Sequence, residues 1–432
     1  MSLSRRAIVD LDHAHVWHPY TSVDAWDKTD PIVVARAEGA WLEDADGRRY
    51  LDGNSSWWVA ALGHGHPRLL KALREQAGSL AHCALAGITH EPAAALAADL
   101  VAVAPPGLKH VFYSDNGSTA VEVAVKIALQ TWRQRGAPDK KRFVALDGAY
   151  HGDTIGAGSL GGVEVFRRPY AGVMFECVRA PFPEPDAYER AFEAIADVIE
   201  READSIAAIF VEPVVQGAAG MRIYDPRYLE ALRGIAHAYD VLLVVDEVFT
   251  GYGRTGTMWA CEHASLDPDI MCVGKVFASM IPMAATLVSD DVFDAFRGGK
   301  DKTLFHGHTF CGNPLGAALA REVLAIYRDE RVVEQARAKA PIITRAFARI
   351  ARIPGVERVR SLGMIGAADL EPSASYLGEA GWRVYEEALR RGAYLRPLGD
   401  TVYVCPPLTI SEADLDKLLA VLHDSVAAAP AR

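Results

Sequence analysis

The sequence predicts an α/β protein, with a large domain built on a mostly parallel sheet and a smaller α+β domain. Up to about residue 330, short apolar runs alternate with segments of helical periodicity, which is typical of βαβ units. Several of these runs are apolar without interruption, as expected for strands buried on both faces of a parallel sheet. After residue 330 the chain changes to an Arg- and Ala-rich helix, short strands and further helices, which predicts the smaller domain.

Each element follows from its hydrophobic period and its boundary residues. Two short alternating runs around the turn signal Asp46-Gly47 predict a β-hairpin over residues 40–52. Apolar or alternating runs predict the strands 110–114, 142–146, 205–211, 241–245, 270–273, 284–288, 356–360, 366–370 and 402–405, with one more near Tyr394. Helical periodicity predicts the helices 67–80, 92–103, 119–135, 187–201, 226–239, 331–350 and 376–391, one beginning at Asn313-Pro314, and a final helix capped at Ser411.

The composition excludes several classes of partner. The formal net charge of −11 argues against nucleic acid or an anionic membrane as a partner. No apolar run is long enough to predict a membrane span, and the first twenty residues have no apolar core typical of a signal peptide. The six cysteines are scattered without a C-x-x-C pair, which indicates a reducing compartment. We therefore expect a cytoplasmic protein that acts on small molecules.

Asp246 and Lys275 mark the predicted centre of the molecule. The apolar strand 241–245 is followed by Asp246 and Glu247, and the apolar strand 270–273 is followed by Gly274 and Lys275. Ligands of open α/β sheets bind beyond the carboxyl ends of the strands, so the acid and the lysine are expected in one pocket. A lysine for a Schiff base and a carboxylate facing a pyridine nitrogen are what pyridoxal 5′-phosphate (PLP) requires.

Two other interpretations of this stretch have less support. A strand ending in Asp-Glu also occurs in ATPases that bind Mg²⁺, but the chain contains no phosphate loop of the G-x-x-x-x-G-K-[ST] type. Residues 251–256 match G-x-G-x-x-G, the dinucleotide fingerprint. That match is weak here, because Asp246 and Glu247 separate the strand from the glycines and no clear helix opens at Gly256.

A phosphate site is predicted where the strand 110–114 meets the next helix. Gly117, Ser118 and Thr119 follow this strand, and free N–H groups at a helix start attract anions. The alternative is a simple helix cap made by Ser118 or Thr119.

Other candidate residues are ambiguous from the sequence alone. Tyr150 follows the strand 142–146 and either stacks on a planar cofactor or packs locally. The adjacent Trp57 and Trp58 are expected to point in different directions, so one of the two tryptophans is a candidate pocket wall. Arg396 follows a short strand and is either a ligand anchor or half of a surface ion pair. The pairs His64/His66 and His306/His308 lack a third ligand at metal spacing, so no metal site is expected.

Taken together, the motifs identify a family. The chain resembles, over essentially its whole length, the class III (subgroup II) PLP-dependent aminotransferases, which have the aspartate-aminotransferase-like fold type I. The motifs that carry the resemblance are WHPYTS, GNSSWW, YSDNGSTAVEVAVK, AYHGDT, VVDEVFTGYGRTG, CVGK, HGHTFCGNPL and LRPLGDTVYVCPP. The resemblance implies that residues 1–60 and 331–432 together form the small domain, beside a PLP-binding domain at 61–330.

The resemblance also implies a role for each matching residue. Lys275 would carry PLP as a Schiff base and shuttle the proton, and Asp246 would keep the pyridine nitrogen protonated. The remaining cofactor contacts would come from Gly117, Ser118 and Tyr150, with His308 and Thr309 reaching the phosphate from the partner subunit of a homodimer with shared sites. The substrate would be bound by Tyr20, Trp57, Tyr150, Lys275, Gly307 and Arg396, with Tyr20 also counted as catalytic and Arg396 taking the carboxylate.

The implied reaction is transamination of 8-amino-7-oxononanoate to 7,8-diaminononanoate in biotin synthesis, with S-adenosylmethionine as the amino donor. Two alternatives stay open: a general ω-aminotransferase acting on another amine and keto acid, and a PLP-binding protein with impaired turnover. The second is suggested by the segment after Lys275, which lacks the family's usual Gly-Gly pair and has Ser279 and Met280 in that region. It is also suggested by His308, which stands where relatives usually have proline.

Overall fold

The chain alternates helices and strands through most of its length, in a computed structural model that describes residues 3–371 and 374–429. The strands are β1 (Val34–Glu38), β2 (Trp41–Asp44), β3 (Arg49–Asp52), β4 (Leu108–Ser114), β5 (Arg142–Leu146), β6 (Cys177–Ala180), β7 (Ile206–Val211), β8 (Val215–Gln216), β9 (Arg222–Ile223), β10 (Leu242–Asp246), β11 (Ile270–Val273), β12 (Ala284–Ser289), β13 (Glu357–Leu362), β14 (Ile365–Asp369), β15 (Ala393–Tyr394) and β16 (Thr401–Val404).

The helices lie between these strands. They are α1 (Arg5–His15), α2 (Val23–Trp26), the turn α3 (Ser55–Trp58), α4 (Pro67–Ser79), α5 (Glu91–Val103), α6 (Gly117–Gln134), α7 (Ile155–Leu160), α8 (Glu164–Arg167), α9 (Tyr188–Glu202), α10 (Arg227–Ala238), α11 (Asp290–Asp294), α12 (Pro314–Asp329), α13 (Val332–Ile350), α14 (Ala380–Arg390) and α15 (Glu412–Ala428). No helix in the described part of the chain is long and apolar enough to cross a membrane.

A seven-stranded sheet forms the centre of the molecule, in the order β4-β12-β11-β10-β7-β5-β6. The pairs that β10 forms with β11 and β7, and that β5 forms with β7 and β6, are parallel, whereas β12 is antiparallel to both of its neighbours. Every residue of β7, β10 and β11 is buried, which explains their uninterrupted apolar sequences. The predicted mostly parallel sheet is confirmed.

Helices cover the sheet and leave its carboxyl edge for the site. The apolar side of α6 contacts β4, β11 and β12 and forms one core cluster with residues such as Val121 and Phe210. A second, larger cluster includes α10, α12 and α13. This layering of helices on a parallel sheet is the predicted α/β architecture.

Smaller sheets join the two ends of the chain. The hairpin β2–β3 pairs with β1, and β3 pairs in parallel with β15, so that Leu51 lies opposite Ala393. A separate antiparallel sheet has the order β13-β14-β16. The domain boundaries at residues 60/61 and 330/331 stay a prediction.

Several boundaries differ from those predicted. Helix α6 begins at Gly117 rather than at residue 119, strand β10 includes Asp246, and α14 begins at Ala380 rather than near Tyr376. The short strands β1, β6, β8 and β9 were not predicted from the sequence. These four strands have few residues, and their side chains do not alternate cleanly between buried and exposed, so the periodicity signal is weak.

Candidate active site

The carboxyl ends of four neighbouring strands deliver polar side chains to one place. Asp246 ends β10, Glu212 follows β7, Tyr150 follows β5, and Lys275 follows β11 after a single glycine. Asp246 pairs in parallel register with Cys272, three residues before the lysine. The expectation that Asp246 and Lys275 share one edge of the sheet is therefore met, because parallel neighbours end at the same edge.

Asp246 is held in a buried hydrogen bond with His151. The His151 Nδ1 lies 2.8 Å from Asp246 Oδ2, and the Val248 amide donates to Oδ1 over 3.0 Å. Both side chains are almost completely buried. The sequence signalled His151 only as part of a Tyr-His pair, and nothing there indicated that it contacts Asp246.

Lys275 stands in a strained position with its amine uncommitted. Its φ is +51°, a left-handed conformation that is uncommon for a non-glycine residue. Its Nζ has no hydrogen-bond or ion-pair partner within residues 3–371 and 374–429. Burial lowers the pKa of Lys275, while the charges of Asp246 and Glu212 oppose that effect.

The segment after Lys275 accommodates the missing glycines by strain. Ser279 adopts φ +55°, the region that glycine occupies without a steric penalty. The lysine nevertheless stays at the end of β11, in a turn of 3-10 helix over Lys275–Phe277. Lys275 therefore stands at the strand end despite the departure from the family pattern.

The start of α6 has a geometry that suits an anion. The cap is Asn116, whose Oδ1 accepts from the Thr119 amide over 3.0 Å, while Thr119 Oγ1 accepts from the Asn116 amide. Neither Ser118 nor Thr119 is the cap, so that alternative is wrong. The amides of Gly117 and Ser118 find no acceptor in the described part of the chain, and such free N–H groups at a helix start attract anions.

Tyr20, Tyr150 and Asp153 form a hydrogen-bonded group on the wall of a cavity of about 570 Å³. Both phenols donate to Asp153 Oδ2, the Tyr150 hydroxyl over 2.7 Å, and the two hydroxyl oxygens lie 3.3 Å apart. Burial raises the pKa of both tyrosines far above their usual range, and Asp153 adds to the effect. Asp153 was missed by sequence reasoning, although it stands in the same AYHGDT motif as Tyr150.

The two adjacent tryptophans separate as the sequence allowed. Trp58 is buried, whereas Trp57 is 38% exposed and its ring centroid lies 5.5 Å from that of Tyr20. Trp57 is therefore the more exposed of the two, and its ring packs against Tyr20, which lines the cavity.

Arg396 reaches Trp57 and Tyr20 from the C-terminal segment. Its guanidinium carbon lies 5.2 Å from the ring centroid of Trp57 and 5.3 Å from that of Trp382, and Nη2 donates to the Tyr20 carbonyl over 3.3 Å. No carboxylate lies within ion-pair distance of Arg396 among the residues with described structure, so the surface ion-pair alternative is not seen. An arginine held by aromatic rings and free of a carboxylate matches the fork geometry of an incoming carboxylate.

Of Gly307, His308 and Thr309, only His308 has a side-chain contact near the start of α6 in the described part of the chain. Gly307 and Thr309 are exposed, and His308 Nδ1 lies 3.8 Å from Asp115 Oδ2. His306 Nδ1 contacts Lys126 Nζ at 2.9 Å, and His64 contacts Asp52. Among the residues that the structure describes, no group of three possible ligands is placed to bind a metal ion.

Glu212 and Glu247 are buried supports of the site. Glu212 accepts the amides of Tyr150 and Gly217, each over 2.9 Å, and so fixes the backbone under Tyr150. Glu247 accepts the Cys261 amide and the Thr250 hydroxyl. Burial raises the pKa of each carboxyl to about 7.

The residues at this edge fit PLP. A Cβ on Gly117 would lie 2.6 Å from Val248 Cγ1, so only glycine allows the helix start to approach the turn after β10 this closely. Free amides there suit a phosphate, the buried Asp246–His151 pair suits a protonated pyridine nitrogen, and Lys275 supplies the amine. These residues therefore supply what the phosphate, the pyridine nitrogen and the aldehyde of PLP each require.

Comparison with known proteins gives a consistent result. The family model for class III aminotransferases matches residues 22–426. The adenosylmethionine-8-amino-7-oxononanoate aminotransferase of Geobacter sulfurreducens is 39% identical over 437 residues, covering 96% of each chain. The crystal structure of the enzyme of the same name from Methanocaldococcus jannaschii is 33% identical, has a TM-score of 0.95, and covers 99% of this chain and 100% of that one. An amine transaminase from an uncultivated Pseudomonas species, solved with PLP bound, is 30% identical with a TM-score of 0.90, over 96% and 98% of the two chains.

Proposed function

Since the chain belongs to the class III aminotransferases and is a PLP-dependent transaminase, we propose that it transfers the amino group of S-adenosylmethionine to 8-amino-7-oxononanoate. The product is 7,8-diaminononanoate, an intermediate of biotin synthesis. Relatives named adenosylmethionine-8-amino-7-oxononanoate aminotransferase match nearly the whole chain at 35–41% identity. The proposed reaction takes place in the cytoplasm.

The chemistry divides between the cofactor and the side chains around it. Bound PLP supplies a protonated pyridine ring that withdraws electrons from the substrate carbon. Asp246 would hold the proton on the pyridine nitrogen, and the His151 contact fixes the carboxylate that would do so. Lys275 Nζ takes the proton from the substrate and returns it, and its burial favours the neutral amine that can act as a base.

The observation that carries the substrate proposal is Arg396 between two tryptophan rings. The acceptor is a long apolar chain with a carboxylate at one end, and each buried methylene contributes up to about 0.8 kcal/mol. Trp57 and Tyr20 provide an apolar wall for that chain, and Arg396 provides the cation for the carboxylate. The Tyr20–Tyr150–Asp153 group lines the cavity next to this wall and offers polar contacts to the substrate amine.

We propose that the active form is a homodimer. The exposed loop with Gly307, His308 and Thr309 is flanked by Phe305 and Phe310, which are 82% and 56% exposed. Large exposed apolar side chains beside a polar loop are typical of an interface. A second copy covering this loop would receive Thr309 at its phosphate site, and His308 would add a donor beside it.

A general ω-aminotransferase is the second candidate. The amine transaminase described above has nearly the same fold, at 30% identity, so the fold alone does not select the substrate. The two candidates differ in the need for a fixed distal carboxylate. A simple amine and keto acid do not require a cation such as Arg396 for a distal carboxylate.

Growth rescue tests the proposed function directly. A biotin auxotroph that lacks this transamination step should grow without biotin when it expresses the chain, and should not grow with the Lys275→Ala variant. Rescue by 7,8-diaminononanoate, but not by 8-amino-7-oxononanoate, verifies that the host is blocked at this step. Failure of a well-expressed wild-type chain would favour the general ω-aminotransferase.

A further inference from the structure

Residues Ser55–Trp58 form a turn of left-handed helix. Their φ angles are +49°, +46°, +63° and +72°, a conformation that is unfavourable for L-residues. Ser55 Oγ donates to the Cys405 carbonyl over 2.7 Å, and Ser56 Oγ donates to Asp52 over 2.8 Å. Strain of this kind persists only where surrounding contacts fix it, and it occurs at functional sites.

The turn fixes the ring of Trp58 in one orientation. Its Nε1 donates to the Tyr403 hydroxyl over 3.1 Å, and its ring centroid lies 4.6 Å from that of Phe249. Because Trp58 is also buried, its indole ring has little freedom to turn away from what it faces.

The face of this ring lies beside the amine of Lys275. Nζ is 5.1 Å from the Trp58 ring centroid, within the range of about 6 Å at which an indole attracts a cation. Burial lowers the pKa of Lys275 and favours the neutral amine, whereas the charges of Asp246, Glu212, Cys405 and Asp153 favour the ammonium form. Trp58 is the one aromatic ring recorded over Lys275 in the described part of the chain.

We propose that the indole face of Trp58 binds the ammonium form of Lys275, which arises when Nζ takes up the substrate proton, and so positions this amine while it is not bonded to the cofactor. The proposal rests on the proposed cofactor role of Lys275. In each transfer the lysine leaves the cofactor and must return to it. A fixed ring beside Nζ restricts the side chain to one region, so that less conformational freedom is lost on return. Trp58 is thus a positioning residue.

The test measures the pKa of Lys275 in the full-length protein loaded with pyridoxamine 5′-phosphate, in which the lysine is free. Acetic anhydride labels only neutral amines, so peptide mass spectrometry over a range of pH gives the labelling pKa of each lysine. Trp58→Leu keeps an apolar neighbour but removes the ring quadrupole, and should lower the pKa of Lys275 by about one pH unit, a roughly tenfold change in neutral amine. Lys417, which lies over Trp41, is the internal reference and should not change.

Trp57→Leu is the matched control, because it removes the adjacent ring that faces Arg396 instead. If Trp58→Leu does not fold, progressively fluorinated tryptophans at position 58 keep the ring's size and should lower the pKa of Lys275 stepwise. An unchanged pKa in the leucine and fluorinated proteins, or an equal shift in Trp57→Leu, would overturn the proposal. Borohydride mapping of the cofactor lysine, described below, tests the underlying role of Lys275 separately.

Discussion

Lys275 is the side chain on which the proposed chemistry depends. It stands beyond β11, at the strand edge that also carries the buried Asp246–His151 pair, and its amine lies over the Trp58 ring without a hydrogen-bond or ion-pair partner in the described structure. We expect the purified protein to be yellow, and borohydride to bleach the colour while tethering the cofactor to Lys275. Peptide mapping locates the adduct. Lys126, which contacts His306 near the surface, serves as the unlabelled comparison, and an adduct on any lysine other than Lys275 would refute the assignment.

Arg396 decides the choice of acceptor at the residue scale. Because it lies between Trp57 and Trp382 without a carboxylate partner, Arg396→Ala should raise KM for the keto acid roughly 10- to 100-fold through loss of a charge-assisted contact. Arg396→Ala should change the kinetics of the half-reaction with the amino donor less, if the donor does not bind this arginine. Stopped-flow traces of the two half-reactions measure both effects.

The control for this change is Arg390→Ala. Arg390 lies at the end of α14 on the same C-terminal segment, but it is paired with Glu387 at the surface. The Arg390→Ala variant should leave the kinetics of both half-reactions unchanged. Equal damage to both half-reactions by Arg396→Ala would mean that the arginine serves the fold or a carboxylate common to both substrates.

At the scale of elements, the contact between α6 and the turn after β10 holds the predicted phosphate site together. A Cβ on Gly117 would lie 2.6 Å from Val248 Cγ1, so Gly117→Ala must push the helix start away from this turn. We expect weaker retention of PLP, measured by equilibrium dialysis, by roughly tenfold or more. Gly78→Ala, in helix α4 with open space around it, is the control and should retain PLP normally.

Relief of the contact provides a second check of the same prediction. Val248→Ala removes the methyl groups that the new Cβ would meet, so the double variant should recover part of the affinity that Gly117→Ala loses. If the double variant retained PLP no better than Gly117→Ala alone, the loss would have another cause.

Glu247 gives the turn after β10 a pH-dependent stability. Burial raises its pKa to about 7 in the folded chain, whereas an unfolded glutamate titrates near about 4.3. Between these values the folded state binds more protons than the unfolded state, so this group's contribution is fully present at low pH and is lost as pH rises through about 7. The thermal unfolding midpoint of the wild type should therefore fall over this window.

The unfolding midpoint of the Glu247→Gln variant should fall less over the same window. The glutamine side chain does not titrate, and its oxygen can still accept the backbone N–H of Cys261. Glu334→Gln, at an exposed position on α13, is the matched control and should follow the wild type. Identical pH profiles for Glu247→Gln and the wild type would show that Glu247 does not carry this effect.

At the scale of the whole molecule, the predicted partner contacts gather around the loop of residues 305–310. Phe310→Asp places a charge in the proposed interface, so sedimentation should show dissociation to monomers, and PLP retention should fall because Thr309 and His308 no longer reach the partner. Tyr239→Asp is the control: Tyr239 lies just before β10, at the opposite end of the strands from the site. A Phe310→Asp variant that stays dimeric, or an active wild-type monomer, would contradict the shared site.

The sequence by itself determined the large sheet and its chemical centre. Uninterrupted apolar runs identify β7, β10 and β11, because strands buried on both faces need no polar alternation. Asp246 and Lys275 were predictable as neighbours, because each follows such a run and parallel strands end at a common edge. The class of cofactor followed from the types of these two residues.

Only the tertiary structure decided which side chains complete the site. The pairing of His151 with Asp246, and the ring of Trp382 beside Arg396, join residues far apart in the chain, and no local pattern encodes such contacts. The left-handed turn at Ser55–Trp58 runs against local preference and exists because Asp52 and Cys405 hold it. Periodicity reports which face of an element is buried, whereas the site depends on how distant elements are packed against one another.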